Sequence, residues 1–170
     1  GYWQAKLYNS MNPEWSPAVV AEAHRLGLKV AGHVPAFSSA DAMIAAGFDE
    51  ITHVNQLMLG WVLNPGEDTR TLFRFTAMRR FPELDVNGPK VSATLDAMIK
   101  RGVAHEPTIG IHELGLTALD GKPNPGAVDY IDHMPPAEQR QARQALFGAD
   151  TPAQRAEYVA AYAKIIETLS

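Results

Sequence analysis

Three residues, Lys6, His33 and His53, carry side chains that can bind metal ions or form covalent bonds, and they recur at similar intervals. Imidazole is the commonest protein ligand for metal ions, and a lysine that loses its proton becomes a nucleophile. The interval from Lys6 to His33 and the interval from His33 to His53 each accommodate one strand and one helix. A structural alternative stays open, in which the histidines are merely hydrogen-bonded and Lys6 is an exposed charge.

The segments around these residues predict short strands that alternate with helices. Ser16-Pro17 and residues 38–41 are typical of helix starts, whereas Gly27 and Gly47 are typical of helix ends. The three candidate residues fall at or near the carboxyl ends of predicted strands, and in parallel α/β folds those ends form the active-site edge. The pattern therefore predicts an α/β fold with three polar groups at one edge of a parallel sheet. The predicted strands are 6–8, 28–31, 48–54 and 103–109, and the first two predicted helices are 18–26 and 42–46.

The second half of the chain has weaker patterning. His105 and His112 flank the fourth predicted strand and could reach the same edge of the sheet. The other predicted segments are a turn at 64–68, a helix from Thr69 or Thr71 to Arg79, a break at 82–89, a helix at 91–100, a loop at 119–126, a helix from Pro135 towards Phe147, and a last helix, capped by 150–152, that ends at Leu169.

The composition is that of an ordinary globular protein. The 170 residues are 46% hydrophobic and 20% charged, with a formal net charge of −4. A mildly acidic chain gives no reason to expect a nucleic-acid partner, whose binders present basic surfaces. The absence of cysteine excludes disulfides and thiolate metal sites, and no apolar stretch reaches the ~20 residues that a membrane-spanning helix needs. A first residue other than Met leads us to expect a processed chain or a piece of a longer one.

Three short motifs, in order, resemble those of the amidohydrolase superfamily. They are Lys6-Leu7-Tyr8, Ala31-Gly32-His33-Val34-Pro35 and Ile51-Thr52-His53-Val54-Asn55. Within that superfamily the chain is most similar to the imidazolonepropionase-related and prolidase-like metal-dependent hydrolases. The likeness covers about residues 1–57 and returns more weakly at 101–109 and in the last helix.

The resemblance implies a partial TIM-like (β/α)₈ barrel, comprising about strands 4 to 7 with their helices. Lys6, His33 and His53 would end the fourth, fifth and sixth strands of that barrel. It also implies that Lys6 reacts with CO₂ to form a carbamate that bridges two metal ions, and that both histidines ligate the second ion. The expected cofactor is a divalent metal, zinc in the first instance, as one or two ions. The expected function is hydrolysis of C–N bonds, in amides or peptides, by a metal-activated water.

Two elements of the superfamily pattern do not occur in this chain. These are the His-x-His pair that ends the first strand and the Asp that ends the eighth and acts as general base. Asp150 is a poor substitute because Thr151-Pro152 makes it a helix cap, so we expect no catalytic residue within the chain. We accordingly expect residues 1–170 to be the central-to-late part of a barrel, incomplete at both ends, with loop or helical insertions at 57–90 and 111–150. We expect little or no turnover by the isolated chain.

Two further residues are candidates for substrate binding. Tyr8 lies two residues after Lys6 and shares its face of the strand, and Asn55 follows the strand that His53 ends. The expected substrate is a small molecule or short peptide, such as an acylated amino acid. The unpaired edges of an incomplete sheet also make a homo-oligomer an expectation. Two alternatives stay open: a barrel enzyme that forms a Schiff base on Lys6, and a non-catalytic α/β fragment with structural histidines.

Overall fold

A computed structural model describes residues 1–149 and 151–170, so Asp150 and its predicted capping role lie outside the described residues. The chain divides into two compact units, Gly1–Pro107 and Thr108–Ser170. No helix within the described residues is long and apolar enough to cross a membrane.

The first unit is built on a four-stranded parallel sheet. Its strands are β1 (Gln4–Leu7), β2 (Lys29–Gly32), β3 (Glu50–Thr52) and β4 (Ala104–Glu106). They lie side by side in chain order, and every neighbouring pair is parallel. The predicted α/β class and parallel sheet are therefore confirmed, and all four carboxyl ends lie at one edge.

Helices connect these strands. They are α1 (Ser16–Arg25), α2 (Ala40–Ala46), α3 (Val54–Val62), α4 (Phe73–Thr76) and α5 (Pro89–Arg101), with short 3₁₀ helices at Pro13–Trp15 and Ala77–Glu83. Local chemistry sets several of the bounds. The Ser39 hydroxyl accepts a hydrogen bond from the Ala42 amide at 3.1 Å and so caps α2, while Pro89 begins α5. Both α2 and α5 end at a glycine in the left-handed conformation, as predicted for Gly47.

The core of the first unit lies between the sheet and these helices. Its largest fully buried side chains come from the strands, the helices, the 3₁₀ segment and the turn before β3; they include Val30, Ile44, Phe48, Ile51, Met58, Met78 and Phe81. A chain of hydrogen bonds ties three helices together on the buried side of α5. Trp61 Nε1 donates to Thr94 Oγ1 at 3.0 Å, and that hydroxyl donates to the Asp41 carboxylate at 2.7 Å.

The second unit is helical. It contains α6 (Ile109–Thr117), α7 (Pro136–Gln141) and α8 (Pro152–Leu169), with 3₁₀ turns at Pro125–Ala127 and Ile131–His133. Leu116 of α6 and Tyr158, Ala161 and Ile165 of α8 are buried. The Thr151 side chain accepts a hydrogen bond from the Gln154 amide at 3.2 Å, so Thr151 is the cap of the last helix.

Several predicted bounds were wrong. Ser16 is the first residue of α1 and not its cap, because Asn12 caps the preceding 3₁₀ turn and the chain is already helical at Trp15. The strand predicted at 48–54 is only Glu50–Thr52, since Val54 begins α3, and the strand predicted at 103–109 is only Ala104–Glu106. The helix predicted from Pro135 towards Phe147 ends at Gln141. The helix predicted up to Arg79 is a four-residue α-helix followed by a 3₁₀ helix.

Candidate functional site

The carboxyl edge of the sheet carries the three residues singled out by spacing. Lys6 is the third residue of β1 and pairs with Ala31 of β2. His33 is the first residue after β2, and His53 is the first residue after β3. Because β2 and β3 are neighbours in the sheet, the two histidines leave it side by side.

The structure brings three of the predicted side chains into contact. The rings of His33 and His53 meet edge to face, with 4.5 Å between their centroids. The Tyr8 ring lies 4.2 Å from the His33 ring, tilted by 47°. Tyr8 lies beyond the end of β1 and is half-exposed, so one side of His33 is covered by a phenol ring and another by an imidazole.

His33 is held as a neutral imidazole. Its side chain is buried, and its Nδ1 has no hydrogen-bond partner among the described residues. Burial is the main cause that lowers the pKa of His33 to about 4, and the neighbouring positive charges of His53, Lys6 and Arg74 lower it further. At neutral pH His33 therefore carries no charge and keeps a nitrogen lone pair, which is the form that binds metals.

His53 occupies a strained backbone conformation. Its φ is +69°, a region that residues other than glycine rarely adopt and that costs roughly 1–3 kcal/mol. Two hydrogen bonds across the sheet hold it there: the His53 amide donates to the Glu106 carbonyl at 2.6 Å, and the Val54 amide donates to the Pro107 carbonyl at 3.1 Å. Phe37, in the loop after β2, also has a positive φ, of 66°. Strain of this kind is typical of functional sites.

Gly32 sets the position of His33. Its φ is +131°, and a Cβ atom added there would lie 2.2 Å from the Leu7 carbonyl oxygen. Only glycine permits β1 and β2 to approach this closely. The same carbonyl accepts a hydrogen bond from the His33 amide at 3.1 Å, so the close approach fixes where His33 leaves the sheet.

Lys6 is exposed, and no ion pair involves it among residues 1–149 and 151–170. Its positive charge nevertheless acts on His33, because it contributes to lowering the pKa of that ring. Lys6 therefore borders the histidine pair without being packed against it.

The donor set fits a metal ion in type. Two imidazoles in contact, one with a buried nitrogen that has no partner among the described residues, are suitable ligands for zinc. Within the described part of the chain, however, no group of three or more His, Cys, Asp or Glu side chains is placed to hold a metal. A tetrahedral zinc site needs four ligands, so the two histidines constitute at most half of one.

The helix that starts after His53 adds two buried carboxamides. Asn55, predicted to bind substrate, is 4% exposed and makes no side-chain hydrogen bond to the described residues. Gln56, which sequence reasoning missed, is equally buried, and its Oε1 accepts a hydrogen bond from the Val34 amide at 3.2 Å. No local signal could have identified Gln56, because its partner is distant along the chain and the motif shows only a helical residue.

Three of the other four histidines have hydrogen-bond partners, whereas His133 is exposed; the buried Nε2 of His105 has no partner among the described residues. His105 lies within β4, where its Nδ1 donates to the Ile51 carbonyl at 2.8 Å, and burial lowers its pKa. His112 lies in α6, and its Nδ1 donates to the Thr108 carbonyl at 3.0 Å. His24 is 2.8 Å from the Asp49 carboxylate, so it joins α1 to the start of β3.

No protein-family model matches this chain, and no curated protein sequence or solved structure matches it significantly.

Proposed function

We propose that this chain belongs to a metal-dependent hydrolase of amide or peptide-like C–N bonds, with His33 and His53 as metal ligands and Lys6 as a third, carboxylated ligand. The observation that carries this proposal is the imidazole pair at the carboxyl edge of β2 and β3. In that pair His33 is neutral at physiological pH, and its buried Nδ1 has no hydrogen-bond partner among the described residues. A buried ring nitrogen without a partner is unfavourable unless a ligand completes it, and in His33 this nitrogen belongs to a ring that contacts a second imidazole at the strand ends.

A divalent ion at this edge would polarise a substrate carbonyl and lower the pKa of a water molecule. The chain's own residues prepare the place for it. Burial keeps His33 unprotonated, and the hydrogen bonds from the His53 and Val54 amides to the end of β4 hold the backbone of His53 in place. Lys6, on the neighbouring strand, can supply two oxygen donors after reaction of its neutral amine with CO₂. The proposed substrate contacts are Tyr8, which covers His33, and Asn55, whose carboxamide has no partner among the described residues.

The proposed architecture is part of a (β/α)₈ barrel. Four parallel strands in chain order, each followed by helix, are the repeating unit of that fold. A closed barrel needs eight such strands, so the four strands here would form half of one. The outer edges of β1 and β4 would be paired by further strands or by a second copy of the chain.

The first test is zinc binding by the purified chain. We expect elemental mass spectrometry and calorimetric titration to detect one zinc ion per chain, and we expect the double variant His33→Ala, His53→Ala to lose it. His133→Ala is the matched control, because His133 is exposed in a 3₁₀ turn of the second unit. Equal zinc uptake by the double variant and the wild type would contradict the proposal, as would a loss in His133→Ala of the same size.

A second measurement separates this proposal from a Schiff-base lysine. An imine on Lys6 would be fixed by borohydride as a stable adduct, detected as a mass increase at Lys6 that Lys6→Met abolishes. A carbamate is not fixed in this way, so we expect no adduct. Trapping at Lys6 would overturn the assigned role of that residue.

A further inference from the structure

A pocket of about 400 Å³ lies beside the histidine pair, although neither histidine lines it. It is bordered by the loop between β2 and α2, by one face of α3 and by the turn at 64–69. Its volume is within the range of small-molecule sites, which begins at roughly 300 Å³. The pocket is therefore large enough to hold an amino-acid-sized group.

The pocket is close to the histidines along the chain. Val34, which lines it, directly follows His33, and Gln56, which also lines it, lies three residues after His53. Consecutive Cα atoms are about 3.8 Å apart, and three residues of helix rise about 4.5 Å. The Gln56 amide also donates to the His53 carbonyl at 2.9 Å. The wall of the pocket and the backbone of the histidine pair are therefore adjacent.

Gln56 supplies a hydrogen-bond donor with a defined orientation. The Val34 amide can only donate, so the atom facing it at 3.2 Å must be the Gln56 carbonyl oxygen and not the NH₂ group. The Nε2 amide of Gln56 has no hydrogen-bond partner among the described residues, and this atom is not closed off from solvent, so it is open to the pocket that Gln56 lines. A donor in the wall of a pocket can hydrogen-bond to water or to a ligand that offers an oxygen. Gln56 Nε2 therefore points to a ligand that offers an oxygen acceptor.

The rest of the lining carries no available charge. Its one ionisable residue is Glu67, and both carboxylate oxygens of Glu67 accept hydrogen bonds from the Arg80 guanidinium at 2.7 Å. The hydrogen bonds from Arg80 are the main cause that lowers the pKa of Glu67 to about 2. The apolar part of the wall comes from Val34, Pro35, Phe37, Leu59 and Leu63. These features favour an uncharged group with an aliphatic part and a carbonyl.

We propose that this pocket is a specificity subsite for an uncharged acyl or amide group with a short aliphatic substituent, whose carbonyl oxygen accepts from Gln56 Nε2. This proposal rests on the function proposed above, because it places the group at the end of the substrate that does not react. The group itself does not require a bound metal in order to enter the pocket.

The test is an NMR titration of the metal-free, ¹⁵N-labelled 170-residue chain with N-acetyl-L-leucinamide in the presence of a chelator. The Gln56 side-chain resonance is identified by its disappearance in Gln56→Glu, a variant that retains an oxygen acceptor for the Val34 amide and removes the donor. We expect saturable shifts of this resonance and of the Gly60 amide, with a dissociation constant of about 1–10 mM for a probe of this size. We expect the positively charged analogue N-acetyl-L-lysinamide to bind at least about fivefold more weakly, because the lining has no free carboxylate.

Two alanines of α2 supply a matched pair of variants. Ala42 lines the pocket and Ala45 does not, and both are exposed, so leucine at either position leaves the core unchanged. We expect Ala42→Leu to fill the pocket and weaken probe binding at least about tenfold, and Ala45→Leu to bind within about twofold of the wild type. Unchanged binding in Ala42→Leu, or no saturable shift in the wild type, would overturn the subsite. Zinc uptake without probe binding would reject the subsite alone, whereas probe binding without zinc uptake would reject the proposed metal centre alone.

Discussion

Gly32 is the position at which one added methyl group should do most damage to the candidate site. It pairs with Leu7 across β1 and β2 and directly precedes His33. In Gly32→Ala the new Cβ would lie 2.2 Å from the Leu7 carbonyl oxygen, 2.9 Å from its amide nitrogen and 3.1 Å from its carbonyl carbon. All three atoms are backbone, so no side chain can move aside to relieve the contact.

The cost has three parts. An alanine at a φ of +131° is strained by roughly 1–3 kcal/mol. Relief of the clash requires β1 and β2 to separate by about 1 Å, an overpacking cost of about 1–3 kcal/mol. That separation also weakens the hydrogen bond from the His33 amide to Leu7, at roughly 0.5–1.5 kcal/mol. We therefore expect Gly32→Ala to lower the free energy of unfolding by about 2.5–7.5 kcal/mol, a large fraction of the ~5–15 kcal/mol typical of a domain.

Gly27→Ala is the matched control, because Gly27 has a φ of +74° but no atom within 4 Å of an added Cβ. It should cost only the backbone strain of the left-handed conformation, about 1–2 kcal/mol. The free energy of unfolding of both variants is measured by urea denaturation, monitored by far-UV circular dichroism. If the slope of the transition is unchanged, the shift in its midpoint gives the change in stability. A Gly32→Ala variant no less stable than Gly27→Ala would refute the close approach of β1 and β2, and with it the account of how His33 is positioned.

Two further substitutions test the contacts that hold the first unit together. Burial opposes ionisation of Asp49, but hydrogen bonds from Lys29, the Val30 amide and His24 outweigh it and lower the pKa of Asp49 to about 2. Since the folded pKa lies below the usual 3.8, the carboxylate stabilises the fold by about 1–2 kcal/mol above pH 4 after solvent screening, and this is lost as the pH falls through 2. The destabilisation by Asp49→Asn should accordingly be larger in denaturation at pH 7 than at pH 2.5, and an equal difference at both would contradict the assignment. Thr94→Val leaves the buried Trp61 N–H without its acceptor and should cost about 1–3 kcal/mol in the same assay, with a blue shift of tryptophan fluorescence; a change below about 0.5 kcal/mol would show that the bond contributes nothing.

The sheet was predictable because each strand combines an apolar run with an adjacent glycine or polar end. Lys6, His33 and His53 were expected at the carboxyl ends of three successive strands, and the structure places them there. The parallel order followed from the regular alternation of strand and helix in the first part of the chain. That a full barrel surrounds these strands stays a prediction, because four strands in order are shared by closed and open α/β sheets.

Some features that sequence could not predict depend on contacts distant along the chain. The segment 48–54 has the composition of one continuous strand, yet the strand stops at Thr52 because the backbone turns at His53 into α3, where the Val54 amide bonds to the Pro107 carbonyl at the far end of the first unit. Helical periodicity likewise identifies Gln56 as a residue of α3 and says nothing of its bond to Val34. Both features depend on a partner that local sequence does not specify.

The two histidines are therefore positioned by the outer strands as well as by their own motifs. His33 is held by its amide bond to Leu7 of β1, and His53 by its amide bond to Glu106 of β4. Leu7 and Glu106 both lie outside the pentapeptide of the histidine that they hold. Glu106 also lies outside the segment that contains the three motifs. Because His53 holds a positive φ at a cost of roughly 1–3 kcal/mol, loss of the bond to β4 would let its backbone relax and turn its ring away from His33. The contact between the imidazoles thus depends on pairing across all four strands, and substitutions that weaken β4 should impair zinc binding even though they leave every proposed ligand in place.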